Sequence, residues 1–217
     1  MDQKYKRKGV ERMKERIYLK MSDSNYQKLI RRVNYLGSTR TNVILMSLFL
    51  YQDSDLTEEQ VYDNLTEIDF DTEQHEFYFE INSYFLTIFK NKQRYLFSLD
   101  EYLAAFLNAL LNEDDDTCKE ADTKQPKIRR VYHIDESLEQ WLSSFSEETG
   151  IVQTTLLNYS FMYRLSDYQK RSNESNKVKK GLFLTQPSLD YLQSFEDYSV
   201  AEIIENHIKA LKGIAAT

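Results

Sequence analysis

The side chains best placed for chemistry in this 217-residue chain are cations set at alternate positions near its start. In RIYLKM, Arg16, Tyr18 and Lys20 alternate with Ile17, Leu19 and Met21. An extended backbone sends the apolar three to one face and the polar three to the other. Arg and Lys offer hydrogen-bond donors and positive charge, which suits an anionic partner rich in acceptors. A weaker version of the spacing recurs in RRVYHI, where Arg129, Val131 and His133 share the outward face and Tyr132 and Ile134 point inward. Upstream lies a basic arm, residues 1–15, whose Lys4, Lys6, Arg7 and Lys8 could follow a phosphate backbone, enter a minor groove, or form a solubilising tail.

Charge is segregated along the chain in a way the net value of −7 conceals. Met1 to Gln52 carries 12 Lys/Arg against 4 Asp/Glu, a net +8, while Asp53 to Asn112 carries 3 against 13, a net −10. Such polarity implies an oriented surface, attractive to phosphates at one end and repellent at the other. Enzymatic chemistry is not expected. His75, His133 and His207 fall in different segments, and there is no Gly-rich phosphate loop or HExxH metal spacing. The single cysteine, Cys118, lies in an acidic run, so neither a disulfide framework nor a cysteine metal site can form, and no cofactor is implied. The longest apolar run, Val43 to Tyr51, is far short of a membrane span and no signal core follows the basic start, so a cytoplasmic protein is expected.

The elements that hold these residues form a repeat. One order of strand, helix, turn and helix recurs four times, over residues 16–52, 75–112, 128–165 and 179–213. EFYFEI turns Phe77, Phe79 and Ile81 inward and Glu76, Tyr78 and Glu80 outward, and KKGLFL turns Leu182 and Leu184 inward with Gly181 and Phe183 outward. Each strand precedes a short amphipathic helix, such as that carrying Leu138, Trp141, Leu142 and Phe145. Gly37 and Gly150 mark helix ends where a positive φ is needed. The second helices align on Thr39, Ser98, Val152 and Ser199, with Glu101 and Glu202 completing capping boxes at two of them. A unit this small cannot bury its own apolar faces, so units must pair, and neighbours are the favoured partners. The expected organisation is an arm (1–15), a first pair (16–112) joined through a linker at Asp53 to Gln74, an acidic boundary (113–127) and a second pair (128–217) joined through Ser166 to Val178.

RIYLKM with GSTRTNVIL, and RRVYHIDESLEQWL with SEETGIVQTTLLN, resemble the MetJ/Arc-like ribbon-helix-helix family of DNA-binding proteins over nearly the whole chain after residue 15. The resemblance implies a mainly α fold with short β-strands, built as tandem units pairing into two pseudo-dimeric domains. It also implies double-stranded DNA with repeated sites as partner. A two-stranded ribbon fits the major groove, where Arg16, Tyr18 and Lys20, with Arg129, Val131 and His133, would face base edges. Phosphates would sit at the second-helix starts, at Thr39, Arg40 and Thr41 and at Gln153 and Thr154. Units two and four, with Glu76 and Glu80 outward in one and Gly181 and Phe183 in the other, are expected to act mainly as pairing partners. The long array without an enzymatic extension is similar to relaxosome accessory proteins of Gram-positive conjugative plasmids, notably staphylococcal ones. That likeness implies origin-of-transfer recognition beside a relaxase, with transcriptional repression, or a protein-interaction scaffold touching DNA weakly, as alternatives.

Overall fold

The computed structural model describes residues 14–93, 96–113, 121–166 and 176–216. The chain is mainly helical, with two small antiparallel sheets of two strands each. Its elements run β1 (Lys14–Ser22), α1 (Asp23–Tyr35), α2 (Arg40–Leu50), α3 (Glu58–Phe70), β2 (Gln74–Asn82), α4 (Ser83–Lys92) and α5 (Leu99–Asn112) in the first half. The second half runs β3 (Lys127–Asp135), α6 (Glu136–Thr149), α7 (Gln153–Met162), β4 (Lys177–Thr185), α8 (Gln186–Gln193) and α9 (Val200–Ile214). β1 pairs with β2 about a Tyr18↔Tyr78 centre, and β3 with β4 about Val131↔Gly181, so one chain supplies both strands of each ribbon.

Alternation in the sequence explains the burial. Ile17, Leu19, Phe77, Phe79 and Ile81 lie under the first ribbon, and Ile134, Leu182 and Leu184 under the second. The four second helices begin where the alignment places them, with Thr39, Ser98, Val152 and Ser199 as N-caps. Both Ser-Glu capping boxes form, whereas Val152 has no side chain able to cap. Gly37 and Gly150 take φ of +56° and +74° at the turns. A Cβ at Gly37 would stand 2.7 Å from the Gln125 carbonyl oxygen, so conformation and space both demand glycine there.

Two boundaries differ from expectation. β1 takes in Lys14 and Glu15, which the sequence assigned to the arm, because strand pairing continues to Asn82. Asp53 to Gln74 is no bare linker: α3 forms within it, started by a Thr57–Gln60 capping box and anchored by Val61 and Ile68, two turns apart on one face. Amides beside these anchors tie it down. Asn108 Nδ2 donates to Asn64 Oδ1 and Glu67 Oε2 (both 3.1 Å), Asn112 Nδ2 donates to Glu67 Oε2 (2.9 Å), and Asn25 Nδ2 donates to Asn108 Oδ1 (2.6 Å). Shared hydrogen bonds of this kind fix α3 against α1 and α5 in one register.

The halves share one apolar core. Phe49 meets Phe145 with ring centroids 4.9 Å apart. Tyr159, fully buried, brings its hydroxyl to Ser47 Oγ (3.2 Å) and accepts from Arg32 Nη1 (3.2 Å). After the acidic run, Ala121 is buried, Asn34 Nδ2 donates to its carbonyl, and Gln125 N donates to the Asn34 carbonyl. The junction is therefore packed rather than open at its described end.

Candidate nucleic-acid interface

The outward face of the first ribbon carries Arg16, Tyr18 and Lys20 opposite Glu80, Tyr78 and Glu76. Each of the three is engaged by its own chain. Lys20 Nζ is 2.5 Å from Asp69 Oδ1 of α3, and Lys14 Nζ is 2.8 Å from Glu80 Oε2. The Arg16 guanidinium lies 4.2 Å over the Tyr78 ring. A hydrogen bond to Glu76, helped by burial, pushes the Tyr18 phenol up to about 12. Asp100, raised by burial and opposed by a hydrogen bond from the Tyr18 backbone, stands at the same edge. Exposed ion pairs of this kind add little stability. Their effect is on the potential, since the carboxylates cancel the field that phosphates would meet.

The second ribbon has a different surface. Lys127, Arg129, Val131 and His133 share its outward face with Lys177, Lys179, Gly181 and Phe183. Four lysines and arginines meet one carboxylate there, Asp135, whose Oδ1 accepts from the Ser137 and Leu138 amides at the start of α6. Arg129, Lys177 and Lys179 are exposed and form no ion pair among the described residues. Val131 and Phe183 are 43% and 47% exposed, which sets two apolar groups among the cations. Lys180, on the inward face, is held by Glu139, whose carboxyl it draws below its ordinary range. Gly181 leaves a gap that the Arg129 side chain crosses: a Cβ there would lie 3.1 Å from Nε and Nη2. Arg129 thus rests on its neighbour strand because that strand has no side chain at the crossing point.

Alternation in the sequence located the outward side chains of both strands of the first ribbon, Glu76, Tyr78 and Glu80 included, but gave no sign of Asp69 of α3 or Asp100 of α5. The sequence reading also missed Lys177 and Lys179. The signal was available, since KVKKGLFL extends the alternation backward from Gly181 in steps of two. Unit four thereby contributes cations to the outward face as well as a pairing strand.

The two helix starts expected to hold phosphates are brought together. Ser38 Oγ and Thr155 Oγ1 are 2.5 Å apart, and the Val152 amide donates to Asn42 Oδ1 at 2.7 Å. Thr39 is exposed but its hydroxyl accepts from the Asn42 amide, and Thr41 is half-buried. Arg40 donates to Tyr26 Oη (3.3 Å) and lies 4.8 Å over the Phe77 ring. Gln153 Nε2 donates to Ser143 Oγ, and Thr154 is half-buried. A Cβ at Gly37 would be 3.4 Å from Lys127 Cε, so the α1–α2 turn abuts one end of the second ribbon. Reciprocally, Asn82 at the end of the first ribbon donates to the Glu148 carbonyl beside the α6–α7 turn. Lys4, Lys6, Arg7, Lys8 and Cys118 lie outside the described residues.

Among the described residues no group of three His, Cys, Asp or Glu could hold a metal ion, and no helix is long and apolar enough to cross a membrane. His75 pairs with Asp23 at 2.7 Å and stacks on Tyr26, His133 is exposed, and His207 is buried, so the three histidines do not converge. Comparison with known protein families, with curated proteins and with solved structures returns no match.

Proposed function

We propose that the chain is a sequence-specific double-stranded-DNA-binding protein of the ribbon-helix-helix type, with two ribbons acting as paired units. The second ribbon is its principal reader of the major groove. The observation that carries this reading is the outward face of β3 and β4, where Arg129, Lys177 and Lys179, without carboxylate partners among the described residues, flank two exposed apolar side chains. Arg129 can bind guanine O6 and N7 bidentately, Val131 and Phe183 suit thymine methyls, and Lys177 and Lys179 suit phosphates or acceptor edges. The first ribbon, neutralised by Glu76, Glu80 and Asp69, is a supporting unit. Within this class, recognition of a transfer origin with repeated sites, beside a relaxase, ranks above transcriptional repression.

A second reading gives the first half a protein partner. It is favoured by the acidic α3, which leaves Tyr62 and Phe70 64% and 83% exposed.

Arg129→Ala is expected to lower affinity for the specific site by about 1–3 kcal/mol and to relax preference at one base pair. Gly181→Ala, which displaces Arg129 without removing it, should reproduce part of that loss. Arg16→Ala should cost less than either. Fluorescence anisotropy with the cognate duplex and single-base variants measures all three; a larger loss for Arg16→Ala than for Arg129→Ala would overturn the assignment of the reading ribbon.

A further inference from the structure

Two faces of the chain match each other in charge, apolar content and spacing. On α3, Glu59, Tyr62, Asp63 and Phe70 follow one another at intervals of three, one and seven residues. At helical pitch they form a stripe about 100° wide, on the side away from the buried Val61 and Ile68. All four are exposed, and their side chains have no ion pair, hydrogen bond or ring contact among the described residues. The helix presents them from a fixed position, because its anchors are buried and Glu67 is held by Asn108 and Asn112.

The second ribbon offers the opposite surface. Along its outward face Lys177 and Lys179 are followed by Val131, paired with Gly181, and then by Phe183. Both faces stand exposed on the same packed chain, so neither is covered by the other within one copy.

Spacing decides how the two faces meet. Glu59 and Asp63, four residues apart on a helix, are separated by about 6 Å along its axis. Lys177 and Lys179, two residues apart on a strand, are separated by about 7 Å. Phe70 lies about 10 Å beyond Asp63 along α3. Val131 and Phe183 lie about 7 and 13 Å beyond Lys179 along the ribbon, on either side of that distance. A single alignment therefore sets two carboxylates on two lysines and lays Phe70 between two apolar side chains.

We infer that a second copy of this chain docks its second ribbon on α3, with Lys177 at Glu59, Lys179 at Asp63, and Phe70 between Val131 and Phe183. The inference rests on the reading of α3 as a docking face for protein, and names the partner. The contact is heterologous, since each copy brings a different face to it. Exposed ion pairs hold such a contact weakly, so the covered rings carry most of the affinity and the charges set the alignment. The ribbon holds one occupant at a time, so α3 and a DNA duplex compete for it.

Sedimentation velocity of the full chain, without DNA, tests the contact. At low salt the wild type should rise above the mass of one chain as its concentration increases, and high salt should reverse the rise. Lys177→Glu with Lys179→Glu should stay monomeric, and so should Asp63→Asn with Phe70→Ser. All four positions are exposed, so both variants should melt close to the wild type. Mixed in equal amounts, the two variants should form pairs and nothing larger, because the first retains the α3 face and the second retains the ribbon. A wild type that stays monomeric at every concentration would overturn the inference and leave α3 to a different protein. Association that persists in the α3 variant would show that α3 is no docking face, and a monomeric mixture beside an associating wild type would overturn the pairing of these two faces.

Discussion

Reversing two charges on the second ribbon, Lys177→Glu together with Lys179→Glu, is expected to abolish specific duplex binding, while Glu76→Gln with Glu80→Gln on the first ribbon leaves it intact or strengthens it. The asymmetry follows from what each side chain already touches. Lys177 and Lys179 face outward without carboxylate partners among the described residues, so reversal converts an attractive face into a repulsive one. Every phosphate that is no longer neutralised takes about 0.9 from the slope of log affinity against log salt. With two phosphates released the slope falls by about 2, and repulsion weakens binding further. Because both residues sit on the exposed face of β4, circular dichroism and melting should change little. Anisotropy titrations at several salt concentrations measure affinity and slope together. Undiminished affinity in the lysine double variant would remove the second ribbon from the interface.

Acidification is expected to destabilise the fold through His207. The ring is fully buried, and burial, only partly offset by the Ser160 backbone, depresses its pKa from 6.5 to about 4. A neutral ring in the folded state and a ring that takes a proton near 6.5 when unfolded set the sign. The contribution is complete above that pH and is lost as pH falls towards 4, after which it levels off. The full difference corresponds to about 3 kcal/mol, of which about 2 kcal/mol is gone by pH 5. Urea unfolding at pH 7.5 and pH 5 gives the loss directly. His207→Gln, which keeps an acceptor for the Tyr191 hydroxyl, should be less stable at pH 7.5 but should show little of this dependence. An unchanged pH dependence in that variant would exclude His207 as its source.

Local rules made the repeat legible. Period-two alternation located all four strands, capping residues located the starts of the second helices, and Gly37 and Gly150 marked their turns, because each signal depends on a few neighbouring residues. α3 escaped because its acidic surface resembles a solvated linker and its two buried anchors, Val61 and Ile68, are too sparse to stand out. The same omission hid the state of the first ribbon. Alternation alone placed Arg16, Tyr18 and Lys20 on the outward face, and Glu76, Tyr78 and Glu80 on that of the strand expected to pair with it, but the carboxylate that takes up Lys20 is Asp69 of α3, 49 residues away. Pairing at that separation is a property of tertiary packing, as is the meeting of the α2 and α7 starts through Ser38, Asn42, Val152 and Thr155.

Sequence-specific duplex recognition is tested most directly by selecting binding sites from a pool of random duplexes and comparing the winner with bulk DNA at physiological salt. One enriched sequence with repeated elements is expected, bound at least about a thousandfold more tightly than unselected duplex. The bound protein should protect the major-groove guanines of that sequence from methylation. Equal affinity for every duplex, or no enrichment after successive rounds, would contradict sequence-specific recognition.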